Sequence, residues 1–273
     1  MKHLKTMTLN LRTLTLAGVL ALAPLTAGAD LYQAPSTGAA AVTSGPRPNL
    51  ARVKRIVTLG DSITQGGGRP GGYVWLMDQY LQVLYPSRKI EIVNAGISGH
   101  KSNDMLARFQ RDVLDKKPDV VTISVGINDV WHGFTKEHPA GYGPRRVPLE
   151  EYRKNVQAMV QAALKAGATP VLFTTTIFED EPESIRNLRV GAYNRAVRDL
   201  ARQHNLRLAD QNAAFMDAWA RNSQSGAKLT SDQVHMAPAG DELMARVALL
   251  ALGVTQEQLD RARPEVMKRL PAR

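Results

Sequence analysis

The chain carries two kinds of apolar pattern in alternation. Short apolar and β-branched runs at Arg55–Leu59, Ile90–Asn94, Val120–Val125, Pro170–Thr175 and Arg207–Asp210 read as strands. Helical spacing of apolar positions covers Tyr73–Leu84, Asp104–Leu114, Leu149–Ala166 and Ser184–His204, then Ala213–Arg221 and Ala239–Leu252. Pro118, Gly167 and Pro170 stand at the joins, where helices stop and strands start. Strands that alternate with helices over short connections make βαβ units, so the pattern predicts an α/β fold. It is three-layered and doubly wound, with a mainly parallel five-stranded sheet and helices on both faces. Residues 51–255 form this domain, and no internal repeat is present. Trp131–Pro148 has no clear period and holds Pro139, Gly141, Gly143 and Pro144, which predicts a long loop behind the third strand. Residues 256–273 read as a charged tail that frays from Asp260 onward.

The N-terminus does not follow this pattern. Lys2, Lys5 and Arg12 precede the apolar stretch Leu14–Leu22, and Ala27-Gly28-Ala29 supplies the small residues of a cleavage site. Residues 1–29 read as a signal peptide cleaved after Ala29, which predicts a periplasmic or secreted protein. The apolar stretch is too short for a stable membrane anchor. Residues 30–50, rich in Ala, Pro, Ser, Thr and Gly, read as a flexible lead-in.

Composition narrows the chemistry. With no cysteine, the chain has no disulfide framework, thiol nucleophile, thiolate metal site or lipidated cysteine. Formal charge is +10, and loss of the leader's three basic residues leaves +7. A basic surface suits anionic surfaces or acidic polymers; for an exported protein, nucleic acid is not an expected partner. Arg186, Arg189, Arg195, Arg198 and Arg202 share one predicted helix and read as a solvated face.

Four short motifs carry the candidate chemistry. Gly60-Asp61-Ser62 follows the first predicted strand, and Asn94-Ala95-Gly96-Ile97-Ser98-Gly99-His100 follows the second. Gly126-Ile127-Asn128-Asp129 follows the third, and Ser231-Asp232-Gln233-Val234-His235 precedes the last helix. In order and spacing they resemble the SGNH hydrolase superfamily, the GDSL esterases and lipases, over about residues 53–253. The resemblance implies that Ser62 is the nucleophile, that Asp232 and His235 complete its triad, and that Ser62, Gly99 and Asn128 form the oxyanion hole. It implies a metal-free and cofactor-free reaction.

The chemistry of the residues agrees. A serine hydroxyl needs an adjacent base, and histidine titrates in the useful range. Asp232, three residues before His235, can hold the imidazole tautomer. The backbone N–H groups of Ser62 and Gly99 and the Asn128 amide can stabilise an oxyanion. In a sheet of flavodoxin-like order 2-1-3-4-5, the switch point lies between strands one and three, where Ser62 and Asn128 meet. Competing motifs are missing: no Gly-x-Ser-x-Gly surrounds Ser62 or Ser98, no His-Glu-x-x-His occurs, and the Gly66–Gly72 run lacks a following Gly-Lys-Ser/Thr.

Plainer roles exist for each residue: a turn for Ser62, a bend for Gly99, a loop cap for Asn128 and Asp129, a helix cap for Asp232 and His235. His100, His132, His138 and His204 are rival bases. His204 ends a predicted helix and reads as structural. His100, Trp131 and His132 are candidates for lining the substrate pocket, and Gly66–Gly72 for a flexible rim at its entrance. Within the superfamily, Gly126-Ile127-Asn128-Asp129-Val130-Trp131, Leu229–His235 and Val93–Gly99 are similar to acetylxylan-esterase-like members. Those members carry proline immediately after the histidine; here Met236 stands there and Pro238 lies two further on. The reading is an exported serine esterase that removes acetyl groups from carbohydrate, acting on a small-molecule or polysaccharide ester. Alternatives are a short-chain lipase, lysophospholipase or thioesterase on the same machinery, or a non-catalytic polysaccharide-binding module. A homo-oligomer is compatible with the sequence.

Overall fold

A computed structural model of the protein describes residues 45–179, 181, 183–222 and 228–271. The proposed leader (1–29) and most of the lead-in lie outside the described residues. The end of the lead-in belongs to the fold, since Leu50 is buried.

Five strands make one sheet: β1 (Arg55–Gly60), β2 (Glu91–Gly96), β3 (Val120–Ser124), β4 (Thr169–Phe173) and β5 (Arg207–Ala209). Their order is β2-β1-β3-β4-β5, and every pairing is parallel, as the alternating pattern predicts. The central strand β1 pairs Val57 with both Val93 and Val121. Ile56, Val57 and Leu59 are fully buried, as befits a strand covered on both faces. The helices are α1 (Ser62–Gly67), α2 (Tyr73–Leu84), α3 (Ser102–Asp112), α4 (Ile127–Trp131), α5 (Leu149–Lys165), α6 (Ile185–Gln203), α7 (Gln211–Asn222), α8 (Pro238–Ala251) and α9 (Gln256–Lys268). They sort into two packed groups, α2 with α8 and α9, and α3 with α5 and α6.

The structure differs from the sequence expectations in four places. The segment read as a fraying tail is α9, which opens on a capping box between Thr255 and Gln258 and buries Leu259, Ala262 and Val266. Pro264 sits inside it. The hydrogen bond that proline removes is outweighed by packing against α2 and by the ion pairs Arg246–Asp260 and Arg263–Glu242. A short helix that the pattern did not predict, α4, precedes the long loop behind β3, so Asn128 stands on a helical turn. The arginine-rich face of α6 is largely engaged. Arg198 donates Nε and Nη2 to buried Asp210 at 2.7 and 2.8 Å, Arg186 pairs with Glu179, and Arg189 lies 3.9 Å over the Tyr142 ring. Finally, within Gly66–Gly72, read as a flexible rim, Gly67 and Gly72 serve close packing. A Cβ on Gly67 would fall 2.6 Å from the Tyr73 ring, and one on Gly72 would fall 2.5 Å from the Gly67 carbonyl oxygen. This tight turn lets α2 start on Tyr73, whose N–H donates to Asp241 and whose hydroxyl bonds Thr64 at 2.8 Å.

Candidate active site

β1 ends at Gly60 and α1 begins at Ser62, with Asp61 as its N-cap. The Asp61 carboxylate accepts from the Ile63 N–H at 2.9 Å and is buried. Burial pushes this carboxyl up to about 6, against the Ile63 hydrogen bond and the nearby His235. Because Ser62 is the first residue of the helix, its own N–H has no intrahelical acceptor and stays available.

The base arrives from the other end of the chain. Thr230 and Met236 form an isolated antiparallel bridge, with Ser231 N–H donating to His235 O at 2.8 Å and Ala237 N–H to Leu229 O at 2.9 Å. The loop so closed is also tied to Glu179, whose N–H donates to Gln233 O. On it, Asp232 Oδ1 accepts from the backbone N–H groups of Val234 and His235, and Asp232 Oδ2 lies 2.7 Å from His235 Nδ1. His235 Nε2 lies 2.9 Å from Ser62 Oγ. The serine, histidine and aspartate singled out from the sequence are thus one hydrogen-bonded chain. Burial works to raise the Asp232 carboxyl, but the hydrogen bonds from His235 and Val234 win and hold it below the usual carboxylate range. It therefore stays ionised into mildly acidic solution.

The loop also accounts for Met236. Its two ladder bonds are donated by Ser231 and Ala237, so position 236 supplies neither. A proline at 236 would therefore cost neither of these bonds, and Pro238 opens α8 at a first-turn position that suits proline.

Gly99 adopts φ +77°, with open space where a Cβ would stand. The left-handed backbone, not crowding, calls for glycine. Asn128 is buried on α4 and donates Nδ2–H to the His100 carbonyl at 3.1 Å, which fixes the amide and leaves its second N–H free to point elsewhere. Its neighbour Asp129 is also buried and does what the sequence suggested as a cap, but for α3: it accepts from Ser102 N–H at 3.0 Å and from Ser102 Oγ at 2.5 Å.

Burial lifts the Asp129 carboxyl to about 7, against its Ser102 bonds. The folded chain holds this proton up to about pH 7, whereas an unfolded aspartate releases it near its ordinary value of 3.8. Across that window the native state binds more protons, so stability falls as pH rises. We expect the midpoint of thermal unfolding to be higher at pH 5 than at pH 8, and Asp129→Asn to shrink that difference by on the order of 5 °C. An unchanged difference in the variant would refute the assignment.

Trp131 and His132 end α4, their rings 6.5 Å apart, and Trp131 meets Phe178 edge-on at 6.3 Å. Trp131 therefore packs on Phe178 while 38% of it remains exposed. Burial, then the charges of Arg145 and Lys101, hold His132 below the usual imidazole range. His204 is the C-cap of α6, and His138 closes a turn with Thr135, neither of them bonded to Ser62. Sequence reasoning missed Arg108. It lies on α3, is buried, and donates to the carbonyls of Gly60 and Ala95. A charged residue four positions from Asp112 reads as half of a surface pair, and nothing local signals its burial.

Among known proteins, the GDSL-like lipase/acylhydrolase family matches residues 58–243. An acetylxylan esterase from Geobacillus stearothermophilus is 32% identical over 215 residues, which cover 73% of this chain and 94% of that protein. A crystal structure of an acetylxylan esterase from the same organism superposes with a TM-score of 0.64 at 30% identity, covering 74% of this chain and 95% of that one. The human isoamyl acetate-hydrolyzing esterase 1 homolog is 28% identical over 207 residues, 70% of this chain and 77% of that protein.

Proposed function

The chain belongs to the GDSL-like lipase/acylhydrolase family and is a carboxylic ester hydrolase; on that premise we propose that it is exported and removes acetyl groups from carbohydrate. The observation that carries the reading is the hydrogen-bonded chain from Ser62 Oγ through His235 to Asp232. In the proposed reaction His235 Nε2 takes the Ser62 proton as Oγ attacks the acetyl carbonyl. The N–H groups of Ser62 and Gly99 and the Asn128 amide hold the oxyanion. His235 then protonates the departing alcohol oxygen. Water, deprotonated by the same imidazole, releases acetate from the acyl-serine.

Acetyl as the acyl group is supported by two relatives whose names both specify acetate esters, and carbohydrate by the acetylxylan esterases alone. The leader-like residues 1–29 support export, and among the described residues no helix is long and apolar enough to cross a membrane. Initial rates on acetylated xylan, other acetylated sugars, p-nitrophenyl esters of increasing length and acyl-thioesters test the reading. Preference for sugar acetates is expected; faster turnover of long acyl chains or thioesters would sink it in favour of a lipase or thioesterase.

Asn128→Ala should lower kcat by about 10²–10³ with a small change in KM, because an oxyanion donor acts only when charge develops. An effect confined to KM would remove Asn128 from the oxyanion hole.

A further inference from the structure

Arg108 and His100 form a unit whose consequence goes beyond the triad. Arg108 Nη2 donates to Gly60 O at 2.9 Å, Nη1 to Ala95 O at 2.8 Å and to Asp112 at 3.2 Å, and Nε to His100 Nδ1 at 3.0 Å. The guanidinium, 5% exposed, thereby ties the ends of β1 and β2 to the ring that follows Gly99. An arginine has no acceptor and keeps its protons, so Nδ1 must be the accepting nitrogen. A ring that accepts at Nδ1 carries its proton on Nε2.

That Nε2–H faces outward from the unit. His100 is half-buried, and among the described residues Nε2 is neither bonded nor sealed from solvent. The same residue's carbonyl accepts from Asn128 Nδ2, so the His100 backbone lies directly against the amide proposed for the oxyanion hole. In the proposed reaction Gly99 N–H, Ser62 N–H and the Asn128 amide give the oxyanion three donors, as many as it can accommodate. An acetyl group ends one carbon beyond the carbonyl. What remains within reach of a further donor is the alcohol side of the ester.

We propose that His100 donates Nε2–H to an oxygen on the alcohol portion of the substrate, such as a sugar hydroxyl or ring oxygen, and that Arg108 is the positioning residue that locks this tautomer. The assignment of the alcohol portion rests on the esterase reading; the tautomer lock does not. Burial and then the Arg108 charge hold His100 below the usual imidazole range, against Asp104 and Asp112, so the donor stays a neutral imidazole.

Two measurements test this on the intact chain. Nitrogen-15 spectra of the wild-type imidazoles should show His100 protonated at Nε2, and Arg108→Met should let the Nδ1–H form appear. Wild-type His100 protonated at Nδ1 would overturn the lock, and does not require the variant to fold. Separately, kcat/KM is compared for a methyl acetylxyloside and for cyclohexyl acetate, whose alcohol portion has no further acceptor. His100→Phe should lower the preference for the sugar ester about tenfold, the worth of one hydrogen bond, and His100→Gln should recover part of it. An unchanged preference in His100→Phe would overturn the substrate contact. If wild-type protein hydrolyses neither ester, the esterase reading falls and takes the substrate contact with it, while the spectra still decide the lock.

Discussion

Ser62→Ala should lower kcat on p-nitrophenyl acetate by about 10⁶, to the level of residual catalysis by the remaining site. The size follows from what is lost. Without Oγ no acyl-serine forms, and water has to attack directly from a site shaped for a side-chain nucleophile. His235 remains able to assist water, and the oxyanion donors remain in place, so turnover ends above the uncatalysed rate by about 10³–10⁴. The substitution removes one half-buried oxygen from the first turn of α1 and leaves the Asp61 cap intact, so thermal stability should change little. Circular dichroism and the unfolding midpoint check that. Rapid-quench kinetics on wild-type protein should show a burst of p-nitrophenol if deacylation is slow, and the burst must vanish in the variant. Ordinary turnover in Ser62→Ala would end the nucleophile assignment.

Asp232→Asn should come next in size, at on the order of 10³ in kcat. In serine hydrolases with a buried aspartate the corresponding change costs about 10⁴, because asparagine favours the wrong imidazole tautomer and cannot stabilise the imidazolium. Here the Asp232 side chain is 57% exposed, so water screens its charge and can partly replace it. Geometry argues that much of the effect survives: the carboxylate also accepts from the backbone N–H groups of Val234 and His235, which sets the loop that aims the imidazole. Asparagine keeps one acceptor for those bonds. The loss should therefore appear in kcat, with KM for p-nitrophenyl acetate little changed. A loss below tenfold would mean that solvent alone suffices to orient His235.

The strands were legible because burial on both faces writes itself into continuous apolar runs, and the order of the motifs along the chain matched the ends of those strands. Ser62, Gly99, Asn128, Asp232 and His235 could be picked out for the same reason: each sits where a strand or loop ends in a short, chemically pointed motif. Other features were hidden because their signal is not local. Arg108 and Arg198 look like solvated helix charges, and only the carbonyls of β1 and β2, or Asp210 beyond β5, turn them inward. α9 looks like a tail because its exposed face is charged and Pro264 interrupts it, while its three buried side chains need α2 to matter. Gly67 and Gly72 read as slack, yet Tyr73 and the neighbouring backbone fill the space a side chain there would need.

The sequence by itself determined the fold class and the parallel alternation and singled out the candidate chemical groups, because these depend on residue type and on periods of a few positions. Tertiary structure decided how those groups meet. His235 reaches Ser62 across 173 residues only because a closed loop ahead of α8 is brought to the end of β1. His100 becomes a donor of fixed tautomer only because a buried guanidinium stands behind it. Distances of that kind are set by packing between elements far apart in the chain, and no local pattern encodes them.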